Sequence, residues 1–129
     1  MAETAAGLRR TDMAGYILTG GKSRRMHGQD KLFLDYQGEA FCDHIRRALG
    51  SFPVVYLSAA PDGQKRYASL GLPVVADVLP GLGPMGGIYS GLLSCREPWL
   101  FVAACDMPLI RRETVDRVTD AYLEEGDGD

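Results

Sequence analysis

Four short apolar runs punctuate this chain, and stretches with helical spacing separate them; no other feature limits the fold as much. The runs are "AGYILTG" (about 14–19), "PVVYLSA", "LPVVAD" and "WLFVAACDMP". Short apolar runs bounded by turn residues suit buried strands. Between them, "AFCDHIRRALGSF" places Phe41, Ile45, Ala48 and Leu49 at helical intervals, with Gly50 as a stop. "DGQKRYASLG" predicts a helix closing at Gly71, and "GGIYSGLLSCRE" predicts another despite its glycines. "RRETVDRVTDAYLEE" predicts a last amphipathic helix with Val115, Val118 and Tyr122 on one face. "VLPGLGPMGG" is turn-rich and predicts a loop, and "LFLDY" a short extended segment before a turn at Gln37-Gly38. Strands alternating with helices imply an α/β fold whose mostly parallel sheet is covered on both faces. A length of 129 residues favours one domain with one core.

Ligands of such sheets bind at the carboxyl ends of the strands, near a switch in strand order. Three groups of residues fall there. The first is the loop "LTGGKSRRMHGQDK", residues 18–31, directly after the first strand. Gly20 and Gly21 allow a tight turn and close backbone approach to a ligand. Successive N–H groups in such a turn can form an anion-binding concavity. Arg25 and Lys31 add full charges, one a bidentate donor and the other compact. The glycine spacing fits neither the Walker A loop nor the dinucleotide fingerprint. A solvated basic loop is the other reading of these residues, and the glycine pair next to a buried strand argues against it.

The other two groups are Asp77, after the third strand, and Asp106, after the fourth. A carboxylate at a strand mouth is either a cap or a metal ligand, and capping is the commoner case. Beside a phosphate-type loop the two acids suggest nucleotide and metal, since Mg²⁺ favours carboxylates together with substrate phosphates. A net charge of −3 excludes a general nucleic-acid binder, whereas a local basic cluster suits a small anion. No run approaches the roughly 20 apolar residues that span a bilayer. Residues 1–12 lack the apolar core of a signal peptide and suggest a flexible leader. Cys42, Cys95 and Cys105 have no metal spacing and suit buried reduced thiols in a cytoplasmic protein.

Three motifs, in order over about residues 14–110, resemble one family. "LTGGKSRRMHGQDK" is similar to the signature loop of the molybdenum cofactor guanylyltransferases. "ADVLPGLGPMGGIYSGL" is similar to their Asp followed by a Gly-Pro-Leu-Ala/Gly-Gly turn and a helix. "FVAACDMPLI" resembles their Cys-Asp-Met/Thr-Pro segment. The resemblance implies a Rossmann-like three-layer nucleotidyltransferase domain over 13–129. Members usually run longer, so it also implies that the C-terminal part of the fold is missing here. It further implies transfer of GMP from GTP to the terminal phosphate of molybdenum-loaded molybdopterin, with Mg²⁺, and leaves room for contact with molybdoenzyme maturation proteins. Carried over residue by residue, Leu18, Thr19 and Gly20 would line the GTP site and Gly21 would shape the turn. Lys31 would meet the phosphates with support from Arg25, Ser58 and Asp77 would contact nucleotide, and Asp106 would hold the metal. "LTGG" and "PMGG" lie closer to guanylyl than to cytidylyl members, although a CTP-using or sugar-phosphate enzyme stays an alternative. So does a non-catalytic nucleotide-binding module. Three positions depart from the family pattern: Thr19 for alanine, His27 for glycine and Ser58 for asparagine. An acceptor that is already a phosphate anion calls for no catalytic Ser, Cys or His. Cys105 is then a packing residue and His44 a surface or capping residue, while Tyr89, near the glycine loop, is a core candidate that could instead touch ligand.

Overall fold

The structure, a computed structural model, describes residues 9–19, 25–26, 29–30, 35–36, 38–60, 67–79, 82, 84–104 and 110–128. In chain order the elements are β1 (Met13–Leu18), β2 (Arg25–Met26), β3 (Gln29–Asp30), β4 (Asp35–Tyr36), β5 (Glu39–Ala40) and α1 (Phe41–Ala48). They continue with β6 (Val55–Ala59), β7 (Val74–Ala76), α2 (Pro84–Ser94), β8 (Trp99–Ala104) and α3 (Arg112–Gly128). Four strands form one sheet in the order β7-β6-β1-β8. Every neighbouring pair is parallel, with Tyr16 opposite Tyr56 and Val102, and Ser58 opposite Val75.

Alternation along β1 sorts its side chains between two layers. Met13 and Ile17 join Cys42, Ile45, Ala48, Leu49 and Phe52 of the α1 region, Leu57 of β6 and Val115 of α3 in the main core. Ala14 and Tyr16 point to the other face, where α2 lies against β1, β6 and β7. The chain therefore steps from β1 to β6 over one face and returns from β7 to β8 over the other. Opposite directions of travel need opposite faces if both crossovers share the usual right hand. The order reverses between β1 and β8.

The expected strands are found with small shifts in their ends. The "LFLDY" segment supplies β4, which pairs antiparallel with β5 through the turn at Gly38. The described part of "DGQKRYASLG" is a 3-10 turn over Ala68–Leu70 closed by Gly71 at φ 73°, and residues 61–66 lie outside the described ones. The expected loop "VLPGLGPMGG" is shorter than read, because α2 already starts at Pro84. Proline suits a first helical position, where its missing N–H would have no partner. On α3 the buried pair is Val115 and Thr119, while Val118 and Tyr122 are exposed. Val115 and Thr119 are one turn apart and share a face, whereas Val118 faces away; Tyr122 meets the Trp99 ring at a centroid distance of 5.6 Å.

α1 starts without a side-chain cap, but Asp43 in its first turn and Arg46 and Arg47 in its last match the helix dipole. Arg46 Nη1 also donates to Leu70 O at 3.0 Å, tying the helix to the 3-10 turn. The Arg47 guanidinium hydrogen-bonds Glu39 and holds that carboxyl below the usual carboxylate range. Among the described residues no helix is long and apolar enough to cross a membrane.

The α3 face yields a direct test. Val115→Ala should destabilise the domain by about 2 kcal/mol, the cost of removing buried methyl groups. Val118→Ala should stay within about 0.5 kcal/mol, as expected of an exposed position. Urea unfolding of the two variants reads the difference.

Candidate functional site

The parallel strands all deliver their carboxyl ends to one edge. At the end of β1, Thr19 is almost fully buried and is locked to β6 by two bonds. Its N–H donates to Ser58 Oγ at 3.1 Å, and its hydroxyl donates to Ser58 O. Ser58 is itself buried, so the polar pair sets the direction in which the chain leaves β1. Tyr16, in the strand just before, donates its hydroxyl to Gly87 O at 2.5 Å and so anchors the first turn of α2 to the middle of the sheet.

Asp77 follows β7. Its N–H donates to Ala59 O at 2.8 Å, extending the β6–β7 pairing by one rung. Its Oδ1 accepts the Leu79 N–H at 2.8 Å, a local turn of the Asx kind. Ser90, fully buried on α2, accepts the Val78 N–H at 2.8 Å and donates to Gly86 O at 2.8 Å, with Asp77 Oδ1 3.4 Å away.

The first turn of α2 presses on these groups because it has no side chains there. A Cβ on Gly86 would lie 2.6 Å from Leu79 O and 2.9 Å from an Asp77 carboxylate oxygen. A Cβ on Gly87 would lie 2.9 Å from Leu18 Cδ2. Further along, a Cβ on Gly91 would lie 2.6 Å from Tyr16 Cζ. The helix start thus touches both the end of β1 and the acid after β7. A negative charge beside a helix N-terminus is favourable.

Four of the site residues expected from sequence are therefore gathered around one helical turn: Leu18, Thr19, Ser58 and Asp77. Gly20, Gly21, Lys31 and Asp106 lie outside the described residues, as do His27 and Cys105. Arg25 is described in its backbone, which pairs with Asp30 between β2 and β3. Tyr89 is 48% exposed, so it is not a core residue; the buried side of α2 is formed by Gly86, Gly87, Ser90 and Gly91. His44 lies 3.5 Å from Glu39 beside the start of α1. Sequence reading missed Tyr16 and Ser90. A signal for Ser90 was present, since Gly86, Gly87, Ser90 and Gly91 are small residues at helical spacing.

Among the described residues no cluster of three His, Cys, Asp or Glu could hold a metal. Asp77 is one carboxylate at the strand ends, and Mg²⁺ commonly takes one or two carboxylates and completes its shell with phosphates and water. Neither described thiol has the character of a nucleophile. Burial pushes Cys42 up to about 11, and burial with the nearby Glu97 charge pushes Cys95 to about 11.

The arrangement of strands and helices is shared with solved α/β structures. A structure titled CMP:2-keto-3-deoxy-manno-octonic acid synthetase complexed with CTP superposes with a TM-score of 0.65 at 16% identity, covering 87% of this chain and 46% of that one. Molybdopterin-guanine dinucleotide biosynthesis protein A from Archaeoglobus fulgidus superposes with a TM-score of 0.60 at 23% identity, over 81% of this chain and 52% of that one. Residues 15–128 match the family described as "MobA-like NTP transferase domain", and the chain belongs to that family. A Clostridium perfringens protein named "Probable molybdenum cofactor guanylyltransferase" is 38% identical over 100 residues, which is 78% of this chain and 50% of that protein. The molybdenum cofactor guanylyltransferase of Ralstonia nicotianae is 35% identical over 117 residues, 90% of this chain and 57% of that protein. The chain thus spans about half the length of the curated relatives it matches.

The buried Tyr16 hydroxyl gives the α2 contact a pH signature. Burial is the main cause that raises it from 10.0 to about 12, with a smaller push from Cys95. The folded chain keeps this proton over a range where the unfolded chain loses it. Stability from this group is therefore complete below pH 10 and is lost as pH rises toward about 12. Tyr16→Phe should make the decline of unfolding free energy above pH 10 shallower than in the wild type, as read from urea midpoints across the alkaline range. The two thiols, raised from 9.0, contribute a decline of the same sign that starts lower and persists in this variant.

Proposed function

We propose that this domain binds GTP at the carboxyl edge of the sheet and, with the acceptor, transfers GMP to the terminal phosphate of molybdenum-loaded molybdopterin. The observation that carries the reading is the meeting of Leu18, Thr19, Ser58 and Asp77 at the first turn of α2, beside the reversal of strand order. The names of the relatives support the choice of donor and acceptor. In this reaction an acceptor phosphate oxygen attacks the α-phosphorus of GTP. The bond from that phosphorus to the bridging oxygen of the β-phosphate breaks, and pyrophosphate leaves.

Catalysis of such a step rests on positioning and on offsetting charge, because the attacking group is already an anion. Leu18 and Thr19 line the nucleotide, with Gly20 and Gly21 offering backbone N–H groups. Lys31 and Arg25 supply positive charge to the phosphates, and Ser58 and Asp77 hold the nucleoside side of the site. Asp106, with the triphosphate, would hold Mg²⁺, which when bound supplies charge neutralisation at the phosphates. The cytoplasm is the setting this reading implies.

Calorimetry of the chain with GTP or CTP in the presence of Mg²⁺ tests the donor. GTP at about 100 times its Kd should stabilise the fold by about 2.7 kcal/mol, and CTP should have little effect at the same concentration. Stronger binding of CTP would turn the reading to a cytidylyl enzyme. Lys31→Ala and Asp106→Ala should each weaken GTP binding tenfold or more while leaving the unfolding midpoint near that of the wild type. If Asp106→Ala lowered the midpoint and left affinity unchanged, Asp106 would be a cap. Pyrophosphate release with GTP and molybdenum-loaded molybdopterin tests transfer itself, and GTP binding without release would mark a nucleotide-binding module.

A further inference from the structure

Ser90 has no part in the proposed chemistry, yet its buried hydroxyl joins the helix to the turn that carries Asp77. A serine that only bonded back to the carbonyl four residues earlier would do little for its helix and would tend to bend it. Ser90 makes that bond, to Gly86 O at 2.8 Å, but it also accepts the Val78 N–H at 2.8 Å from outside the helix. One hydroxyl proton and two lone pairs suffice for both bonds. Residues 77–79 are thereby held at three points: Val78 by Ser90, Leu79 by the Asp77 carboxylate, and that carboxylate by the Ser90 hydroxyl at 3.4 Å. Gly86 closes the contact from the other side, since a Cβ there would meet Leu79 O at 2.6 Å and the Asp77 carboxylate at 2.9 Å.

We propose that Ser90 is a positioning residue, which fixes the 77–79 turn against the first turn of α2 so that Asp77 meets the nucleotide in one orientation. This rests on the reading above that Asp77 contacts GTP. Thr119 provides an internal control. It is equally buried and makes the same kind of back-bond, to Val115 O at 2.8 Å, but on α3.

The test uses the full chain with Ser90→Ala, Thr119→Ala, Asp77→Ala and the Ser90/Asp77 double variant. Amide hydrogen exchange at Leu79 is the first readout, because the acceptor of that N–H is Asp77 and not Ser90. Ser90→Ala should speed it about five- to tenfold, the scale of one buried hydrogen bond, and Thr119→Ala should not. Calorimetric affinity for GTP with Mg²⁺ is the second. Ser90→Ala should weaken it about five- to tenfold, Thr119→Ala should leave it unchanged, and Ser90→Ala should cost nothing more once Asp77 is alanine. Unchanged Leu79 exchange in Ser90→Ala overturns the proposal, as does an equal loss of affinity in the Asp77→Ala background. If the wild-type chain does not bind GTP, the nucleotide reading fails, while the Leu79 exchange still decides whether Ser90 holds the turn.

Discussion

The close approach of α2 to the sheet is the contact on which the rest of this domain depends. Helices usually stand off a sheet by the depth of their side chains. Here Gly87 and Gly91 leave Leu18 and the Tyr16 ring to fill that depth from the sheet side. Tyr16 then reaches the helix backbone itself, at Gly87 O. A buried phenol needs a partner for its hydroxyl, and a bare helical carbonyl provides one. Any side chain at these helical positions would lift α2 away and leave that hydroxyl unpaired.

From that contact follows the geometry of the strand ends. α2 carries the chain from β7 back across β6 and β1 to β8, so its first turn must start above Asp77 and run toward β1. The residues that meet it are those a ligand would face at the carboxyl edge. The other layer, built from α1 and α3 over Met13, Ile17, Leu57 and Val115, holds the main apolar cluster of the described residues. β1, β6 and β7 each carry residues of this cluster and also lead into the site residues Leu18, Thr19, Ser58 and Asp77.

Much of the fold was legible in order and type because each strand is a compact apolar run and each connection carries a different period. α1 was the easiest helix, since Ile45, Ala48 and Leu49 mark a single buried stripe. α3 was misread in detail: Val118 looks like a core residue by its chemistry, yet a three-residue step from Val115 turns it out of the core while a four-residue step brings in Thr119. α2 has no charged residue and no apolar stripe to separate inside from outside. Its buried side is told by small residues, and the large ones, Met85, Tyr89 and Leu92, are exposed. Hydrophobic periodicity fails on such a helix because close packing selects for size and not for apolarity.

The sequence by itself determined the parallel α/β plan, the family, and the places where a site could be, because strand-terminal glycines, acids and cations are local features of the chain. It could not decide which strand ends become neighbours or which polar groups are spent on each other. Those outcomes depend on strand order and on the path of α2 over the sheet. Only the tertiary structure brought Thr19 onto Ser58, 39 residues apart, and Tyr16 onto Gly87, 71 residues apart. It also put Ser90 between α2 and the Asp77 turn. The physical reason is that hydrogen bonds between distant segments carry no signature in either segment alone: each partner is an ordinary polar residue until folding brings the other within reach.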